Sequence, residues 1–147
     1  MKHLSRDSFL ATFGGVYEHS AWIAEMIFDK KAHLKIEKPS DLAGPMAKIV
    51  ETAPQELQMA LLRAYPDLAG KLGNDSAEAQ ENFKDLNVRY REKFGFPFIL
   101  AIRDRNRAEI LGNLRKRFAN DVGSEFREAL NQVQQIANLR LQDLDIQ

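Results

Sequence analysis

SEFREALNQVQQIANLRLQDL, residues 124–144, decides the fold. Phe126, Leu130, Val133, Ala137, Leu141 and Leu144 recur along it at separations of three and four, the period of one helix face and not of a strand. The same spacing recurs upstream, so the predicted class is all-α, a single-domain multi-helix bundle over residues 1–147. Ser5 or Asp7 can cap a first helix carrying Phe9, Leu10 and Phe13, which Gly14-Gly15 ends. A second, around Ser20 to Lys30, places Trp22, Ile23, Met26 and Ile27 on one face. Ser40 or Asp41 can cap a third that runs towards Ala53, with Pro45 positioned to divide it.

Pro54 fits the first turn of a fourth helix, whose stripe is Leu57, Leu61, Ala64, Tyr65 and Leu68 and which Pro66 ends. Gly70, Gly73 and Asn74 make a turn cluster, and Phe83, Leu86, Tyr90 and Phe94 follow at helical spacing until Gly95. The run Phe96 to Ile102 is apolar throughout but has no partner strand in the sequence, so it reads as a buried extended segment or a helix start. Ile110, Leu111, Leu114 and Phe118 mark one more helix.

Composition narrows function by exclusion. The 147 residues carry 21 Lys+Arg against 21 Asp+Glu and no cysteine. A chain of this length buries roughly 68% of its unfolded surface, enough for a core without disulfides or metal. Absent cysteine removes thiol catalysis and zinc–thiolate sites, and balanced charge argues against nucleic acid as a partner. Arg103, Arg105 and Arg107, continuing into Arg115, Lys116 and Arg117, have Asp104 and Glu109 beside them and read as a solvated surface. No apolar run approaches a membrane span, and the N-terminus lacks the apolar stretch of a signal peptide, so a cytoplasmic location is expected. His3, His19 and His33 have no metal-ligand spacing, and the phosphate-loop, dinucleotide and serine-hydrolase motifs are missing.

The informative residues interrupt apolar stripes. Arg140 lies seven after Val133, three after Ala137 and four before Leu144, which places a guanidinium on or beside the apolar face of the last helix. It needs an acceptor there: a structural ion pair, or the carboxylate or ureido carbonyl of a ligand that its planar fork suits. Asn87 and Tyr90 share the apolar side of their helix, where they tie helices together or line a small polar pocket. Tyr65, just before Pro66, is either a core tyrosine with one hydrogen bond or a hydroxyl facing a cavity.

Four blocks in order carry a family resemblance: Phe13-Gly14-Gly15-Val16-Tyr17-Glu18-His19-Ser20; Tyr65-Pro66-Asp67-Leu68-Ala69-Gly70; Leu86-Asn87-x-x-Tyr90-x-x-Lys93-Phe94-Gly95-Phe96-Pro97-Phe98-Ile99; and Ile136-Ala137-x-x-Arg140-Leu141-x-x-Leu144. The chain resembles the OHCU decarboxylases, which act on 2-oxo-4-hydroxy-4-carboxy-5-ureidoimidazoline late in the oxidation of urate to allantoin. The resemblance implies an all-helical homodimer, a small ureide substrate, and a decarboxylation giving S-allantoin with no cofactor. It places Pro66, Ser76, Gln80, Phe98, Ile99 and Arg140 against the substrate, with the Phe96 to Ile99 block as a pocket wall.

Two departures accompany the matches. The family's catalytic histidine precedes Pro-Asp-Leu, where this chain has Tyr65, and its Ser-x-x-Glu-Gln motif falls in an interval that is short here, leaving Glu78 or Glu81 as its acidic group. The alternative reading is therefore an impaired relative that binds a ureide or a partner, or acts on another small carboxylate.

Overall fold

The computed structural model describes residues 1–68 and 77–146, with the backbone alone for 77–82. Among the described residues seven α-helices follow one another: α1 (Arg6–Phe13), α2 (Trp22–Asp29), α3 (Ala43–Thr52), α4 (Gln55–Arg63), α5 (Ala77–Phe94), α6 (Arg107–Phe118) and α7 (Val122–Asp145). Two 3-10 turns, Ala32–Lys35 and Pro39–Leu42, connect α2 to α3, and no strand occurs among the described residues. The all-α expectation holds. The chain divides into two compact units, Met1–Ala64 with Gln134–Gln147, and Tyr65–Val133.

In the first unit, Ser5 caps α1 by accepting from the Ser8 amide at 3.1 Å, satisfying a donor that the helix itself leaves open. Phe9 and Phe13 are then one turn apart on the buried face, ring centroids 4.9 Å apart. The buried face of α2 centres on Ile23, Ala24 and Ile27, leaving Trp22 and Met26 half-exposed, so the apolar side is turned from the expected one. Pro45 does not divide α3. It is the third residue of that helix, where the amide it lacks would have no intrahelical partner. Ser40 and Asp41 belong to the preceding 3-10 turn, and Asp41 accepts from the Lys38 amide there.

Pro54 sits immediately before α4, whose buried residues are Leu61 and Leu62. Leu57, expected on the stripe, is 41% exposed, because the face that meets the core carries Leu62 instead. The Gln58 amide reaches back to the Val50 carbonyl at 2.9 Å and ties α4 to α3. On α7, Asp145 accepts from the Ser40 amide at 2.8 Å, and Gln134 receives the Tyr17 hydroxyl at 2.6 Å.

In the second unit, α5 buries Phe83, Asn87, Tyr90 and Phe94. It stops at Gly95, whose φ of 81° lies in the left-handed region that glycine alone enters without strain. The chain then bends at Phe96 and runs on to Ala101 as neither helix nor strand, all of it buried. Lys93 holds the end of α6 by donating to the Phe118 and Asn120 carbonyls at 2.6 and 3.0 Å. Asp121 accepts from the Ser124 amide at 2.8 Å and from its hydroxyl at 2.9 Å, capping the start of α7.

The largest corrections concern α6 and α7. Arg117 is not part of a solvated basic surface but 5% exposed, on the same face as Ile110 and Leu114. In the first half of α7 the buried positions are Glu125, Ala129, Gln132 and Val133, whereas Phe126 and Leu130 are half-exposed. The helix is rotated by about one position because its polar residues have partners inside.

Gly95→Ala should lower stability by about 1 kcal/mol, the cost of a left-handed alanine, and a urea titration checks it. The hydrogen bonds from Ser124 hold the Asp121 carboxyl below the ordinary carboxylate value, and those from Ser40 do the same for Asp145. Carboxylates lowered in the folded state stabilise it above their unfolded value near 3.9, and this is lost as pH falls through the lower folded values. Acid melting followed by circular dichroism should therefore begin below about pH 4. Asp121→Asn, which keeps the cap without the charge, should make the profile shallower there.

Candidate functional site

The second unit is built around one buried carboxylate. Glu125, 0% exposed, receives Arg117 Nε at 2.8 Å and Nη2 at 2.6 Å on its Oε2, and Asn120 Nδ2 at 3.2 Å on Oε1. The Tyr90 hydroxyl also donates to Oε2. Four donors on one carboxylate satisfy it without water, which a charge at this depth requires. Burial raises the Tyr90 phenol far above its ordinary pKa, helped by the hydrogen bond to Glu125 and opposed by the Arg117 charge, so Tyr90 stays neutral and donates.

Arg117 extends this network to the Phe96 to Ile102 block. Its Nη1 donates to the Ile99 carbonyl, and its Cζ lies 4.6 Å from the centre of the Phe98 ring. Tyr90 meets the Phe96 and Phe98 rings edge-on at 6.0 and 5.4 Å, and Phe96 meets Phe126 of α7 at 6.3 Å. Two further side chains grip the same backbone. Gln132 Oε1 accepts from the Ala101 amide at 3.0 Å while its Nε2 donates to Glu128 at 2.9 Å, and Arg105 Nε donates to the Ala101 carbonyl at 3.0 Å.

Of the residues expected at a site, Tyr65, Pro66, Phe98 and Ile99 lie in this unit. Tyr65 follows the end of α4 and is 6% exposed, so its ring belongs to the core, while Pro66 is exposed. Ser76 lies outside the described residues, and Glu78, Gln80 and Glu81 fall on α5 where the backbone alone is described. Asn87 is buried with no hydrogen-bond partner for its Oδ1 among the described residues, and Tyr90 is fully buried, as their spacing predicts.

Arg140 belongs to the first unit. Its Nη1 donates to the Gly15 and Val16 carbonyls at 3.2 and 3.1 Å and lies 3.2 Å from Glu18 Oε1. The side chain is 36% exposed. The guanidinium that interrupts the α7 stripe therefore has an ion-pair partner at the stripe's edge, and it ties α7 to the Gly-Gly turn after α1.

Reading the sequence missed Arg117, Glu125 and Gln132. A signal existed: Arg117 is seven after Ile110 and three after Leu114, and Glu125 is four before Ala129 and eight before Val133, so each continues an apolar stripe. Glu125→Ala should cost about 3–5 kcal/mol in urea unfolding, because it leaves the Arg117 charge buried without a counter-charge. Replacing both, Arg117→Met with Glu125→Leu, should cost less than the sum of the single changes, the coupling a double-mutant cycle measures.

The family model for OHCU decarboxylases matches residues 2–142. The chain is 37% identical over 156 residues to the 2-oxo-4-hydroxy-4-carboxy-5-ureidoimidazoline decarboxylase of Haloferax volcanii, covering 96% of this chain and 91% of that one. It is 32% identical to a uric acid degradation bifunctional protein of a Bacillus species, with 98% of this chain and 31% of that protein aligned. The crystal structure of an (S)-allantoin synthase superposes with a TM-score of 0.86 at 37% identity, over 95% of this chain and 50% of that one. This chain thus spans half of the synthase and about a third of the bifunctional protein. Matched from one end to the other, with the Lys93 to Ile99 block serving as the anchored element of the second unit, the chain belongs to the OHCU decarboxylase family.

Proposed function

We propose that this chain is an OHCU decarboxylase of urate degradation, converting 2-oxo-4-hydroxy-4-carboxy-5-ureidoimidazoline to (S)-allantoin without metal or organic cofactor. The observation that carries this reading is the family match along residues 2–142, within which the Ile99 carbonyl and the Ala101 amide are held by buried side chains. In the reaction the bond between the hydroxyl-bearing ring carbon and its carboxylate breaks, carbon dioxide leaves, and the electron pair forms a double bond to the neighbouring ureido-bearing carbon, whose ring nitrogen takes the displaced charge and a proton. A proton delivered to one face of the ureido-bearing carbon, as the hydroxyl loses its proton and becomes a carbonyl, completes the S product. The protein's share is to orient the substrate, balance its charge and supply that proton on one side.

Arg140 is the cation for the substrate. Its protein contacts among the described residues use Nη1, so Nε and Nη2 offer the remaining edge of the fork to a carboxylate or ureido oxygen. Tyr65 stands where the family has its histidine, followed by Pro66. A phenol donates a proton or hydrogen bond but is a poorer base than an imidazole at neutral pH, so the role assigned to Tyr65 is donation. The family resemblance assigns the Phe98 and Ile99 block to a wall against the substrate, and Ser76, Gln80 and Glu78 or Glu81 to contacts with its polar groups. The active form is a cytoplasmic homodimer in which the chain acts as one domain. That no helix among the described residues is long and apolar enough to cross a membrane agrees with this location.

The unstable substrate, generated enzymatically from urate, reports the reaction through the optical activity of the allantoin formed. The expected result is a rate above spontaneous decay with the S enantiomer in excess; a rate equal to spontaneous decay, with the protein folded, replaces this reading with a silent, ureide-binding relative. Tyr65→His should raise turnover at neutral pH. Arg140→Ala should raise KM about 10- to 100-fold, the worth of a hydrogen bond to a charged group, with helicity unchanged.

A further inference from the structure

The block after Gly95 poses a problem of backbone satisfaction. A buried segment outside a helix ordinarily pairs its amides and carbonyls with a neighbouring strand, and among the described residues there is none. Side chains do the pairing instead. Arg117 from α6 holds the Ile99 carbonyl, and Gln132 from α7 holds the Ala101 amide. Both residues are themselves fixed: Arg117 by the Glu125 carboxylate, which also takes the Tyr90 hydroxyl, and Gln132 by Glu128 one turn earlier on the same helix. Both are at least 95% buried, so neither grip competes with water.

We infer that Arg117 and Gln132 are positioning residues of the decarboxylase, setting from behind the place of the Phe98–Ala101 backbone that walls the ureide pocket. The inference rests on the proposed function. Neither residue touches substrate. Each acts through the backbone it holds: remove the Gln132 acceptor and the Ala101 amide is left unpaired in the core, so the segment shifts to find another partner and the wall moves with it. Displacements of about 1 Å at a reacting centre cost on the order of 100-fold in rate, so even a fraction of that shift is measurable. The wall also helps to decide which face of the planar intermediate the proton reaches, and the stereochemical outcome reports its position independently of the amount of folded enzyme.

Gln132 is the better handle, because changing Arg117 alone leaves the Glu125 charge buried without its counter-charge. With the wild-type reaction measured first, Gln132→Met should raise KM by about fivefold or more, because a displaced wall binds the ureide less well, and lower the S enantiomer's excess, a partial loss of alignment. Leu114→Ala, a fully buried change on α6, is the control for destabilisation alone: it should lower the melting temperature and move neither KM nor the enantiomer ratio. Wild-type KM and enantiomer ratio in Gln132→Met would overturn the inference while leaving the proposed function standing. A wild-type protein that does not accelerate decarboxylation would remove the proposed function and the inference with it.

Discussion

The Glu125 carboxylate, paired with Arg117 and fully enclosed, is the constraint on which the second unit depends. A charge at this depth is tolerated only with its partner and a full set of donors around it, so α5, α6 and α7 must arrive in register for Tyr90, Arg117 and Asn120 to meet it. Apolar packing alone admits small rotations of a helix; a shared carboxylate admits far fewer. This is why the first half of α7 turns Glu125 and Gln132 inward and leaves Phe126 and Leu130 at the edge.

The motif Lys93 to Ile99 then has a physical reading residue by residue. Lys93 closes the end of α6, Gly95 makes the left-handed exit from α5, Phe96 packs on Phe126, Phe98 lies under the Arg117 guanidinium, and Ile99 offers that guanidinium its carbonyl. None of these tasks requires a substrate. Together they deliver an ordered segment to the place where the proposed chemistry needs a wall, so the block most diagnostic of the family is also the one whose geometry is most thoroughly determined by its own protein.

Helix periodicity made the class and most element limits legible, as did local punctuation: Ser5 as a cap, Gly95 as a stop, Pro66 beyond the end of α4. Asn87 and Tyr90 were legible as buried because they stand among aromatics on one stripe. Arg117, Glu125 and Gln132 were not, because each looks like surface until its partner is known, and the partners come from separate segments. Pro45 misled in the opposite direction: a rule about helix interiors does not bind in a first turn, where the missing amide costs nothing. Arg140 was legible as a cation needing an acceptor, but its spacing did not reveal Glu18 and two backbone carbonyls as the acceptors.

A strand inside a sheet is held by other backbones, which no substitution can alter. The Ile99–Ala101 segment is held by side chains, each specified by its own codon. Its position is therefore heritable and adjustable one residue at a time through Arg105, Arg117 and Gln132, without change to any residue of the segment itself. A change at any of the three side chains can thus move the segment while its own sequence stays the same, and a comparison restricted to the segment's sequence would overlook it.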